Sequence, residues 1–91
     1  MRSVRLVITG RVQGVGYRIW AERTAVSLRV RGWVRNRRDG SVELLATGSE
    51  DALAALIEAC REGPSAATVT NVSVEHGEDD GTAAFSARPT I

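Results

Sequence analysis

The sequence predicts an α+β domain in which an antiparallel sheet carries two helices on one face. Three observations predict it. Several short runs alternate at the two-residue period of a strand, and two longer segments repeat at helical spacing. The two kinds of segment follow one another in the order β-α-β-β-α-β. The chain has 91 residues and an apolar fraction of 43%, so a single domain, 1–91, with a modest core is expected.

Each element has its own signal. VRLVIT (4–9) places Val4, Leu6 and Ile8 on one face of a strand. A glycine-rich loop, Gly10–Gly16, comes next. From there Tyr17, Trp20, Ala21, Thr24, Ala25 and Leu28 recur at three- and four-residue spacing, which is the pattern of an amphipathic helix. VRGWVRN (30–36) returns to the strand period, RDG (38–40) reads as a hairpin turn, and SVELLAT (41–47) is its partner strand. In the second helix Ser49 is a natural N-cap, and Glu50 and Asp51 suit the positive end of the dipole. Leu53, Leu56, Ile57 and Cys60 make its buried stripe, and Gly63-Pro64 stops it. TVTNVSVEH (68–76) alternates again, with Thr70, Val72 and Val74 on one face. HGEDDG is an acidic turn, and TAAFSAR (82–88) reads as a short closing strand at the sheet edge. This is the ferredoxin-like arrangement, which alone decides little about function.

Composition narrows the chemistry. The one cysteine, Cys60, cannot form an internal disulfide, and its place on an apolar stripe makes it a packing residue. The one histidine, His76, lies far from any nucleophile and is expected at a strand end. No CxxC is available for metal or redox chemistry. No run of about 18 apolar residues exists to span a membrane. The apolar stretch in MRSVRLVITG is too short, and too interrupted by Arg5, for a signal peptide, so a cytoplasmic monomer is expected. Charge is unevenly spread: residues 1–38 hold ten arginines and one acid, residues 39–91 two arginines and ten acids. That favours an anionic ligand near the first half, unless folding interleaves the charges.

GRVQGVGYRIW (10–20) is where an anion would be met. It is neither a dinucleotide fingerprint, whose third glycine or alanine would fall at Ile19, nor a Walker A loop, since no Gly-Lys-Ser/Thr follows. A glycine-rich turn between a strand and a helix N-terminus aims several free N–H groups and a positive dipole at one point. Arg18, in the first helical turn, can add a planar charged fork. The plainer alternative is a tight connection whose glycines only permit the turn.

GRVQGVGYR followed by GWVRNRRDGSVE closely resembles the acylphosphatase family, as do the GP after the second helix and the ending FSARPT. The resemblance runs from Val4 to about Arg88. It implies a ferredoxin-like, free-standing enzyme that hydrolyses acyl phosphates without metal or cofactor. It further implies that the amides of Gln13, Gly14, Val15, Gly16, Tyr17 and Arg18 cradle the phosphoryl oxygens while the Arg18 side chain clamps the same group. Asn36 would orient the attacking water; read without the resemblance, it is an ordinary strand-end or turn asparagine. The sequence departs from animal members at Gly16 and Tyr17, where aromatics are common, and at Arg37, where Thr is common. These departures bear on rate and phosphate affinity.

Other readings compete. A basic half on this fold suggests an RNA-binding module, but such modules stack bases on aromatics of their central strands, and VRLVIT and SVELLAT have none. Trp33 is expected to be structural. Arg29, Arg31, Arg35 and Arg37 alternate and would share one face, leaving some affinity for anionic surfaces. An accessory domain, such as larger hydrogenase-maturation carbamoyltransferases carry at their N-terminus, is a further alternative. The partner expected is a small-molecule acyl phosphate, with no nucleic acid and no membrane.

Overall fold

A computed structural model describes all residues, Met1–Ile91. The strands are β1 (Arg2–Arg11), β2 (Arg31–Asn36), β3 (Val42–Gly48), β4 (Thr68–His76) and β5 (Phe85–Arg88), and the helices are α1 (Tyr17–Ser27) and α2 (Glu50–Glu62). The strands form one sheet in the order β4-β1-β3-β2-β5. The first four pair antiparallel, and β5 adds to the free edge of β2 in parallel. Strand alternation sorts the side chains. Val4, Leu6 and Ile8 of β1, Val34 of β2, and Val42, Leu44 and Ala46 of β3 are buried beneath the helices.

The helices cover that face with different means. α2 buries Leu53, Leu56 and Cys60, while Ile57 packs at the margin of the stripe. Its start is capped as the sequence suggests: Ser49 Oγ accepts from the Ala52 N–H at 3.1 Å. α1 instead buries small residues, Ala21 and Ala25, with Tyr17 at its start. Small side chains let this helix lie close to the sheet. The Tyr17 ring is fully buried, its hydroxyl donates to the Cys60 carbonyl at 2.8 Å, and it meets Trp20 edge-on at 5.2 Å. One side chain thus ties the start of α1 to the end of α2.

β4 departs from strict alternation. Its pairing with β1 slips between Thr9, opposite Asn71, and Gly10, opposite Val69, leaving Thr70 as an extra residue. The bulge returns Val69 to the core and turns Thr70 outward, so of Thr70, Val72 and Val74 only Val72 is buried. Gly10 permits the bulge. A Cβ there would sit 2.2 Å from the Thr68 carbonyl oxygen. The first glycine of the loop motif therefore serves sheet packing.

The helix-free face is polar but ordered. Glu43, nearly buried, accepts from Arg5 Nε at 2.6 Å and from Arg35 Nε at 2.8 Å. Burial pulls its carboxyl up, but the bonds and charges of Arg35 and Arg5 outweigh this and hold it below its ordinary value. The acidic turn folds back onto β2, with Asp79 gripping Arg31 and Asp80 accepting from Trp33 Nε1 at 3.0 Å. Folding thus interleaves the two oppositely charged halves of the chain.

Candidate active site

After Arg11 the chain leaves the sheet and turns into α1 through residues whose backbone few side chains tolerate. Gly14 has φ +74 and Gly16 φ +79, both left-handed, and a Cβ at either would meet nothing within 4 Å. These two glycines serve the turn itself. Gly16 is the N-cap of α1 and lends no side chain to the helix start. None of the N–H groups of residues 13–18 donates to a carbonyl of the chain. Unused donors and the positive end of a helix dipole therefore converge on one point.

The loop's position is fixed from both sides. Gln13 Nε2 donates to the carbonyls of Arg37 at 2.7 Å and Ser41 at 2.9 Å, bracing the loop against the β2–β3 hairpin. Val15 packs against the core. Arg18 Nη1 donates to the Arg88 carbonyl at 3.1 Å, so β5 holds the guanidinium by one nitrogen. Arg18 has no carboxylate partner, in contrast to Arg5, Arg31 and Arg35.

Between loop and hairpin lies a pocket of about 130 Å³ lined by Val12, Gly14, Gly16, Tyr17, Arg18, Ile19 and Asn36. Asn36 ends β2 with its side chain on the helix side of the sheet, opposite Val42 of β3. Its Oδ1 is buried without a hydrogen-bond partner, the one such side-chain atom in the chain. An unpaired buried acceptor costs about 1–3 kcal/mol, so it marks a place where a donor belongs. The pocket is far smaller than the roughly 300–1,000 Å³ that encloses a drug-sized ligand. It has room for one small group and not for a whole molecule of that size.

The structure brings Gly14, Gly16, Tyr17, Arg18 and Asn36 to one pocket. Gln13 and Val15 contribute backbone, their side chains being used as brace and packing. The Tyr17 side chain also points away; burial, with the nearby Cys60 thiol, pushes its phenol far above the usual range. Cys60 is pushed up to about 11 by burial and is a core residue. His76 lies opposite Val4, at the end of the sheet away from the loop, and contacts Glu78 at 3.1 Å. No group of three His, Cys, Asp or Glu side chains is placed to hold a metal ion. What sequence reading missed is the pair of braces, Gln13 and the Arg88 carbonyl. Both are long-range contacts that no local pattern announces.

A larger cleft, about 430 Å³, opens on the helix-free face among Arg5, Arg35, Arg37, Arg38, Asp39, Glu43 and Ile91. Its charge is partly offset within the chain by Glu43, shared by Arg5 and Arg35, and by Asp39, which stands 4.0 Å from Arg37. Of the four arginines expected to share this face, Arg31 and Arg35 are tied into ion pairs, and Arg29 lies outside the strand with φ +59. Trp33 is buried, with the guanidinium groups of Arg35 and Arg88 4.5 Å and 5.2 Å from its ring, which leaves little ring surface for a base.

Fold and pocket together define a small α+β domain in which unused backbone N–H groups, an arginine and an asparagine share one small pocket. Comparison with known proteins gives the class a name. The acylphosphatase family model matches residues 4–87, and the chain belongs to that family. It is 54% identical to an acylphosphatase of Rhodopseudomonas palustris (strain BisB5) over 84% of this chain and 77% of that one. It is 59% identical to one of Nitrobacter hamburgensis over 75% of this chain and 69% of that one. The crystal structure of acylphosphatase from Bacillus subtilis superposes with a TM-score of 0.93 at 40% identity, covering 97% and 99% of the two chains.

Proposed function

We propose that this chain hydrolyses acyl phosphates to a carboxylate and inorganic phosphate, with the 13–18 loop and Arg18 holding the phosphoryl group and Asn36 holding the attacking water. The observation that carries the reading is one pocket walled by Asn36, Arg18 and a loop of unused N–H donors, with the buried side-chain oxygen of Asn36 claimed by no other group of the chain.

The chemistry needs little else. Water attacks phosphorus in line, the P–O bond to the acyl oxygen breaks, and that oxygen keeps the electron pair. The product carboxylate is a stable anion, so no strong general acid is required. The water proton passes to a phosphoryl oxygen or to solvent. The protein's task is to orient the water and to match the charge on the equatorial oxygens. Loop amides and Arg18 do the second, and the uncharged side-chain amide of Asn36 does the first. A carboxylate at position 36 would be repelled by the phosphoryl group.

Because the pocket takes the phosphoryl group alone, several small acyl phosphates should serve as substrates. No helix is long and apolar enough to cross a membrane. The reading includes a cytoplasmic monomer, and sedimentation at a mass other than the chain's 9.8 kDa would contradict the monomer. Hydrolysis of benzoyl phosphate and acetyl phosphate in the presence of a chelator tests the activity. Turnover of both, inhibited competitively by inorganic phosphate, is expected; an inert wild-type protein would refute it.

A further inference from the structure

Both residues given a role above are touched by one short segment that the reaction itself does not use. β5 follows the free edge of β2 from Phe85, opposite Gly32, to Arg88, opposite Arg35. Continued in that register, the ladder would place Thr90 beside Arg37. It does not continue so. The next residue, Pro89, has no N–H to donate, and the chain rejoins β2 one residue later. The Ile91 N–H donates to the Asn36 carbonyl at 3.1 Å, and the Arg38 N–H donates to the Ile91 oxygen at 2.9 Å. These two bonds flank Arg37 as in a parallel ladder.

The same segment holds the other wall of the pocket. The Arg88 carbonyl accepts from Arg18 Nη1, and one turn along α1 Glu22 accepts from the Ala87 N–H at 3.0 Å. α1 thus grips β5 at the outward-facing Ala87 N–H and at the Arg88 carbonyl, while the ladder and Ile91 hold the same segment to β2. Asn36 is the last residue of β2; β3 holds one edge of it through the pairing with Val42, and the 88–91 segment holds the other.

We propose that residues 88–91 are a positioning strap that sets Arg18 and Asn36 at their working separation, Ile91 acting through the Asn36 backbone. The inference rests on the hydrolytic reading above and adds a residue that never meets substrate. The contact that matters at Ile91 is its N–H, because the side chain is half exposed at the rim of the cleft on the far face of the sheet.

That distinction provides the test. Ile91→Ala keeps the N–H and removes the side chain, whereas Ile91→Pro removes the N–H. With benzoyl phosphate as substrate and inorganic phosphate as inhibitor, Ile91→Ala should match the wild type. Ile91→Pro should lose roughly tenfold in kcat, since small misplacements of a reacting group are costly. Its phosphate inhibition constant and urea midpoint should stay within about twofold and a few tenths of a molar of the wild type. A kcat for Ile91→Pro equal to that of Ile91→Ala overturns the proposal. So does a parallel loss in both variants, or a loss in Ile91→Pro matched by weaker phosphate binding or unfolding. Asn36→Ala separates the two layers: if it too is fast, the hydrolytic reading fails. If it is slow while Ile91→Pro is fast, only the strap fails.

Discussion

Two polar regions lie on opposite faces of the sheet at the end of β2, and they are built to opposite rules. On the helix-free face Arg5 and Arg35 share Glu43, Arg31 holds Asp79, and Trp33 lies against Arg35 and Arg88. On the helix side Arg18 has no acid, the N–H groups of residues 13–18 have no carbonyls, and Asn36 Oδ1 has no donor. Arg35 and Asn36 are neighbours in sequence, yet one is satisfied within the chain and the other is not. The larger cleft belongs to the satisfied face and the smaller pocket to the unsatisfied one. Native chains rarely leave buried polar groups unpaired, so concentrated unpaired groups locate a site better than volume or count of charge does.

The sharpest way to break this contrast is to remove one charge from each side, beginning with Arg18. Arg18→Ala should lower kcat/KM for benzoyl phosphate roughly a thousandfold, the scale of losing a preorganised charge from a transition state. Inorganic phosphate inhibition should weaken with it, while the urea midpoint falls by no more than about 1 M, because one hydrogen bond to the Arg88 carbonyl is worth about 1 kcal/mol. Rate retained in Arg18→Ala would erase the difference between the faces.

The mirror experiment takes the acid from the satisfied face. Glu43→Gln keeps the shape but leaves Arg5 and Arg35 without their shared charge. A stability loss of about 1–3 kcal/mol in urea unfolding is expected, with kcat within twofold of the wild type. A variant as stable as the wild type but slow would mean that the network serves the reaction.

The smallest effect is a matter of pH. Hydrogen bonds from Arg31, then from the Gly81 N–H, lower the Asp79 carboxyl from its ordinary 3.8 to about 2. A carboxyl lowered on folding stabilises the native state above its unfolded value, and that contribution fades as pH falls through the folded value. The wild type should therefore be slightly more stable than Asp79→Asn at neutral pH, the gap closing between pH 3.8 and about 2. Urea midpoints of both proteins across that window would show it. Because the pair is exposed, a gap that is constant with pH would assign the effect to packing.

Much of this was legible in the sequence, for reasons that differ by element. Periodicity placed β1, α1, the β2–β3 hairpin and α2 because each has one face on the core, and Ser49 announced the start of α2 by its cap. The edge strands were harder. Nothing in TVTNVSVEH marks the extra residue at Thr70, since a bulge is set by the partner strand and here by Gly10. The parallel pairing of β5 depends on the path of the acidic turn across the sheet, held by Asp79 and Asp80. For the site, the loop and Arg18 stood out locally, but Asn36 looked like any strand-end asparagine apart from the family resemblance. Its orphaned oxygen, the Gln13 brace and the Ile91 contact are products of folding.

The central claim is that the loop holds the phosphoryl group while Asn36 brings the water, so the two functions should separate in one variant. Single-turnover hydrolysis of benzoyl phosphate by folded Asn36→Ala, set beside its affinity for inorganic phosphate, measures both. The account predicts a rate lower by roughly a hundredfold or more with phosphate affinity close to that of the wild type. A variant that hydrolyses at the wild-type rate, or that loses phosphate affinity in proportion to its rate, would contradict it.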